Sequence, residues 1–214
     1  LEHWFHLGRP VMRNGNDLAL VSWNGSMFEY LMPRLLMLSG PQTLLNESEK
    51  VAVQMHQKHG RDAGLPWGVS ESAYSARDPE HRYQYQAFGV PGLGLRRGLA
   101  KDMVITPYAS ALALQVVPSE AAENLKLLVK LGFSGLYGML EAIDYTPERL
   151  EAGNKVEPVN AYMAHHQGMI MCAIGNSLCD DILVRRFADD PRVHAVSLLL
   201  NERVPQELPS EVER

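Results

Sequence analysis

Helix-length apolar segments in this chain are separated by long stretches rich in glycine, proline and aromatic residues. No strand–helix alternation and no short-period repeat runs through it, so the chain reads as all-α with long loops between the helices. Val11 to Asn16 reads as a loop or short hairpin, and Leu18 to Trp23 as a short strand or buried turn. Asn24-Gly25 marks a turn, and Met27 to Met37 predicts a helix apolar nearly all round despite Pro33, hence buried. Asn46-Glu47-Ser48-Glu49 has a capping-box arrangement and starts a helix with Val51, Met55 and His59 on one side, stopping at Gly60. Arg61 to Lys101 is loop-rich. Thr106-Pro107 opens a helix to Val116, and Pro118 opens another, with Leu125, Leu128 and Val129 inward and Gly132 as its stop. Gly135 to Arg149 is again rich in glycine and aromatics. Asn160 to Leu178 predicts a long helix, and Asp190-Pro191 caps a last one.

At 214 residues and 46% hydrophobic, the chain can bury a real core as one domain or two small ones. A net charge of -5, with Arg96-Arg97 and Arg185-Arg186 as short basic pairs, argues against nucleic acid as a partner. Cys172 and Cys179 lie seven apart in a helical segment, about 10 Å along its axis, too far for a disulfide. They read as buried thiols of a reducing compartment or as small core residues. No apolar run spans a bilayer, and no signal-peptide pattern is present. The abrupt start at Trp4 and Phe5, with a linker-like end over 206–214, reads as a piece of something larger whose domain covers 1–205.

Chemistry gathers in Trp67-Gly68-Val69-Ser70-Glu71-Ser72-Ala73-Tyr74, which has no clean helical or strand period, and in Tyr83-Gln84-Tyr85-Gln86 nearby. Aromatic faces stack on sugar rings, amides and hydroxyls fix sugar hydroxyls, and carboxyl groups break glycosidic bonds. Glu71 is the leading catalytic candidate, with Trp67 as a sugar platform and Ser70, Ser72 and Tyr74 orienting the acid. The plain alternative is a capping or surface carboxylate. Glu29 stands in an apolar helix, either bonded structurally or serving the site, because an unpaired buried carboxylate is costly. Glu141 and Asp144, flanked by Tyr137 and Tyr145, suggest a cleft wall. In His165-His166-Gln167 adjacent helical residues point apart, so a metal site is not expected; one histidine, taken as His165, and Gln167 face a polar pocket. Gly89 to Leu95 lacks the strand and lysine of a phosphate loop, and its glycines read as a close approach of backbone to the cleft. No cofactor is expected.

Five segments in order carry a resemblance: Ser22 to Pro33, Pro66 to Tyr74, Tyr85 to Leu95, Glu141 to Pro147 and Tyr162 to Met169. Together they resemble the glucoamylase-like domain of cyclic β-1,2-glucan synthases, which is related to bacterial endo-β-1,2-glucanases, over about Trp4 to Pro205. The resemblance implies an (α/α)6 toroid whose N-terminal helices lie outside this chain. It also implies action on β-1,2-glucan, by transfer and ring closure in the synthases and by hydrolysis in the glucanases. It implies neighbouring glycosyltransferase and phosphorylase-like domains and a place on the cytosolic side of the bacterial inner membrane, secreted relatives being the alternative. Glu71 matches one essential carboxylate of the family; the other falls upstream of Leu1. Substrate contacts are then expected from Glu29, Trp67, Tyr74, Tyr83, Tyr85, Tyr137, Glu141, Asp144, Tyr145, His165 and Gln167. A non-catalytic glucan-binding module is the rival from another class.

Overall fold

A computed structural model describes residues 2–204, so the segment read as a linker, 206–214, lies outside the described residues. The elements are, in order, α1 (Glu2–His6), β1 (Val11–Asn14), β2 (Asp17–Leu20), α2 (Met27–Leu31), α3 (Leu44–Ala63), β3 (Ser72–Arg77), β4 (Tyr83–Gln86), β5 (Val104–Ile105) and α4 (Pro107–Leu112). They continue with α5 (Pro118–Lys130), β6 (Ser134–Gly135), β7 (Gly138–Met139), β8 (Ala142–Asp144), β9 (Glu157–Val159), α6 (Ala164–Leu178), α7 (Ile182–Ala188) and α8 (Pro191–Val196). Helices dominate, but the all-α expectation needs correcting. Short antiparallel strands form hairpins β1–β2, β3–β4 and β6–β7, and a three-stranded sheet of order β5-β8-β9.

Helix α3 shows how local chemistry sets the frame. Thr43 caps its start by accepting a hydrogen bond from Asn46 N–H, and Gly64 ends it in the left-handed region at φ 66°. Leu44, Ser48, Ala52, His56 and Gly60 recur at four-residue spacing and are all buried, which sets one stripe of α3 against the core. The start expected at Asn46 and the stop at Gly60 are therefore corrected outward. Glu49, the supposed capping partner, is instead buried against Arg34 at 3.2 Å. The helix expected over Met27 to Met37 is interrupted, because Pro33 cannot continue the α2 ladder and starts a 3-10 turn.

The core joins Met27 and Leu31 of α2, Ala52 and Val53 of α3, Val69, Ile105, Tyr108 and Leu112 of α4, and Ile143 of β8. Helix α6 closes it through Met169 and Ala173. Its start is corrected from Asn160 to Ala164, since Asn160 N–H is held by the Tyr83 hydroxyl at 3.2 Å. Cys172 is half-buried and Cys179 is exposed just past α6, so the pair are not the buried thiols expected. Among the described residues no helix is long and apolar enough to cross a membrane.

Candidate active site

The loop that delivers Glu71 is tied to four elements. Val69 carbonyl accepts from Met27 N–H at the start of α2 (3.1 Å), and Val69 N–H donates to His56 Nδ1 on α3 (3.1 Å). Val69 also bridges Ile105 of β5, and Gly68 carbonyl accepts from Thr106 N–H at 2.8 Å. His56 is fully buried; its Nε2 reaches the Gly25 carbonyl at 3.1 Å. Because Nδ1 accepts, Nε2 must carry the proton, and the ring is the neutral tautomer. Burial pulls its pKa down to about 3.

Just beyond this clamp, the Tyr108 hydroxyl hydrogen-bonds both Ser70 Oγ (2.7 Å) and the Glu71 carbonyl (2.9 Å). The main chain at Glu71 is thereby fixed, while among the described residues no hydrogen bond reaches its carboxylate. Burial raises the Glu71 pKa above the usual carboxylate value; His166 opposes the rise and the charge of Glu29 adds to it. Three rings group beside it. Tyr108 stacks on His166 with centroids 3.9 Å apart and planes 15° from parallel, and Tyr85 of β4 lies 6.3 Å from His166 at 25°. Burial, then the negative charges of Glu71 and Glu141, push the Tyr85 hydroxyl well above its ordinary range.

Glu141, immediately before β8, is buried and accepts from Ala73 N–H (3.2 Å) while its other oxygen meets His166 Nδ1 at 2.9 Å. Its two oxygens therefore join β3 to the first turn of α6. An unpaired carboxylate here would be costly, and these partners are what the position requires. His166 is 2% exposed, and its Nε2 is buried with no partner among the described residues.

The structure brings Glu71, Tyr85 and Glu141 together, with the His165 ring centroid 4.0 Å from that of His166, and places the other expected residues in different contacts. Glu29 is engaged structurally: it accepts from Ser22 Oγ, Trp23 and Asn24 N–H, and Ser26 N–H and Oγ, completing a capping box at the start of α2. Burial raises its pKa, and the donors from Ser26, Asn24 and Ser22 more than offset this to leave it lowered. Asp144 is likewise tied up, by Ser75 Oγ (2.7 Å) and by Arg149 at 2.7 and 3.0 Å, with Arg149 also pairing Asp102. Both side chains thus anchor neighbouring loops through these partners.

Trp67 lines a separate shallow depression with Gln57, Arg61 and residues of α5, away from Glu71. Ser70 orients Tyr108 and α2 (Phe28 N–H, 3.0 Å) rather than the acid, and the buried Ser72 hydroxyl has no partner among the described residues. Tyr74 packs edge-on against Phe88 at 5.4 Å and under Arg149, and Tyr145 packs on the core. Tyr83 is held by Arg77 at 2.8 Å. Tyr137 stands 71% exposed at the tip of β6–β7, edge-on to Tyr162, while Gln167 holds that hairpin by donating to Met139 carbonyl at 2.9 Å. His165 is exposed on α6. Its neighbour His166 is the histidine in the cluster, and the sequence reading missed it along with Tyr108. The sequence signalled that Glu141, beside an apolar run, needs a buried partner, and that one of the adjacent histidines could supply it, without distinguishing which.

The glycines of Gly89 to Gly94 serve a different contact from the cleft approach expected. A Cβ on Gly89 would lie 1.8 Å from the Asn24 carbonyl oxygen, and one on Gly94 2.5 Å from the Asn24 carbonyl carbon. They let this loop lie directly on the Ser22–Gly25 turn. Among the described residues no cluster of three or more metal-ligating side chains is present.

The cluster of carboxyl groups and aromatic rings is carried on the loops and element ends of a mainly helical scaffold, the class of fold to which the chain belongs. The chain belongs to the Glycoamylase family, described as "Putative glucoamylase", whose model matches residues 1–191. It is 48% identical over 208 residues to the cyclic β-(1,2)-glucan synthase NdvB of Rhizobium meliloti, covering 97% of this chain and 7% of that protein. Among solved structures it is similar to an endo-β-1,2-glucanase from Chitinophaga pinensis in complex with sophorotriose and glucose. The TM-score is 0.64 at 17% identity, over 90% of this chain and 46% of that one. A β-1,2-glucanase from Parabacteroides distasonis matches with TM-score 0.63 at 16% identity, over 83% of this chain and 24% of that one. The chain thus spans a small part of its synthase relative and just under half of the Chitinophaga glucanase.

Proposed function

We propose that this chain is the C-terminal part of a glucoamylase-like catalytic domain of (α/α)6 type. The domain acts on β-1,2-glucan and closes a linear glucan into a ring within a cyclic glucan synthase. The observation that carries this is the carboxylate of Glu71, held on a clamped main chain, free of hydrogen bonds among the described residues, and set beside Tyr85 and His166. The 48% identical synthase supports β-1,2-glucan as substrate and ring closure as outcome. Breaking the glycosidic bond needs one carboxyl group to protonate the leaving oxygen and a second at the anomeric carbon. Ring closure hands the glucan to its own hydroxyl, which suits a retaining route through a glycosyl-enzyme, with carboxyl groups about 5–5.5 Å apart.

Glu71 is the nucleophile in this reading. Glu141 is unsuited to be its partner because both oxygens are engaged, which favours a second carboxylate from residues upstream of this chain. Tyr85 supplies a ring face for stacking a glucose unit, and exposed Tyr137 a second contact further out. The domain would work beside glycosyltransferase and phosphorylase-like neighbours on the cytosolic face of the inner membrane. Glu71→Gln in the complete protein is expected to abolish conversion of linear β-1,2-glucan while the protein stays folded. Rings from the unaltered protein support transfer, short linear products would make it a hydrolase, and an active Glu71→Gln variant would remove Glu71 from the pair.

A further inference from the structure

We propose that His166 is a positioning residue for the Glu71 carboxylate, held by Glu141 on one ring nitrogen so that the other is kept available to the site. The inference rests on the reading of Glu71 given above and adds a residue to it. Glu141 Oε2 lies 2.9 Å from His166 Nδ1, a contact in which the ring nitrogen donates and the carboxylate oxygen accepts. That leaves Nε2, an atom with hydrogen-bonding capacity, buried without a partner in a ring that is 2% exposed. A buried nitrogen of this kind costs stability unless something meets it in the working state.

Ring rotation is blocked. Tyr108 lies against one face at 3.9 Å, and the same Tyr108 fixes the main chain of Glu71 through its hydroxyl. The acid and the imidazole are therefore referred to one rigid side chain. Titratable groups around the ring come from several elements: Glu71 before β3, Tyr85 on β4, Tyr108 on α4, Glu141 before β8 and His165 on α6. Electrostatically, His166 favours the ionised form of Glu71 against its burial, the form a nucleophile needs. It touches no reacting atom; it acts through the carboxylate.

Two substitutions separate this role from a purely structural one. In His166→Asn the side-chain amide nitrogen sits where Nδ1 was, so the bond to Glu141 can persist while Nε2 is gone. In His166→Gln the amide nitrogen takes the place of Nε2 and the Glu141 bond is lost. In the complete protein acting on linear β-1,2-glucan, His166→Asn is expected to cut kcat by about 100-fold with KM within about threefold. The acid limb of its rate profile should move to higher pH, because Glu71 then ionises later. His166→Gln should retain more of the rate than His166→Asn. Equal losses in both variants with an unmoved acid limb, or near-normal rate in His166→Asn, would overturn the proposal. Should His166→Asn fail to fold, Glu141→Gln is the second probe. It is expected to displace the acid limb by changing which nitrogen of His166 carries the proton, and an unmoved limb there counts equally against the role. An active Glu71→Gln variant would instead overturn the underlying reading of the site.

Discussion

At position 71 a carboxyl group is kept half out of water with no hydrogen-bond donor among the described residues, and the fold bears a cost for it. Because the folded pKa lies above the unfolded one, the native state holds the proton more tightly. Stability attributable to this group is therefore full below the unfolded value and falls as pH rises through the folded one. Glu71→Gln is expected to raise the unfolding free energy at pH 7 by less than about 1 kcal/mol given solvent screening, and the melting temperature with it, the gain vanishing near pH 4. Thermal unfolding at the two pH values measures it, and a Glu71→Gln variant destabilised at pH 7 would contradict it. His56 runs with the opposite sign. Its folded pKa of about 3 lies far below the ordinary histidine value, so the unfolded chain takes up the proton first. The stability it provides is complete above about pH 6.5 and is lost as pH falls toward 3, on the order of 4 kcal/mol in all. His56→Gln, which keeps a donor but not the titration, should flatten acid unfolding over that window; an unchanged acid transition would show that His56 does not drive it. Glu71 and Glu141 were legible as carboxylates among apolar and aromatic neighbours. His166 was not separated from His165, because two adjacent helical residues differ by about 100° of rotation and sequence does not say which faces inward.

Elements of this fold are held in place by backbone contacts that composition hints at without locating. Gly25, Gly89 and Gly94 allow the 22–25 turn and the 89–95 loop to exchange hydrogen bonds, Val90 N–H to Gly25 carbonyl at 3.0 Å and Leu95 N–H to Ser22 carbonyl at 3.0 Å. Gly89→Ala would drive a methyl group into the Asn24 carbonyl, and no rotamer relieves a clash with backbone. A loss of about 3 kcal/mol is expected in denaturant unfolding, and a loss under about 0.5 kcal/mol would show that the loop shifts without strain. The long helices α3, α5 and α6 could be read from proline, glycine and four-residue apolar spacing. Their ends could not, since Asn160 is captured by Tyr83 and Glu49 by Arg34, both distant in sequence. The Ser26–Glu29 capping box carries the sequence signature that was instead assigned to Asn46–Glu49. The β1–β2 hairpin was among the sequence's alternatives, whereas two- and three-residue strands such as β5, β6 and β8 are too brief to show a period of two.

Taken as a whole, the chain presents one wall of a site rather than an enclosed one. Helices α3, α4 and α6 bring the 66–71 loop, β3–β4 and the start of α6 to a common surface, where Glu71, Tyr85 and the Glu141–His166 pair meet. The family was legible through five ordered motifs, and several residues within those motifs, Glu29 and Asp144 among them, make hydrogen bonds that hold the scaffold. A motif records which residues recur together and does not sort those that meet substrate from those that position the loops. The central claim is that Glu71 attacks the anomeric carbon. Incubating the complete protein with a 5-fluoro-β-sophorosyl fluoride, with the ring fluorine on the glucose unit that bears the anomeric fluoride so that the 1,2-linkage is kept, then mapping the adduct by peptide mass spectrometry, tests it directly. The account predicts a stable glycosyl ester on Glu71, absent in Glu71→Gln. No adduct, or one on Glu29 or Glu141, would contradict it.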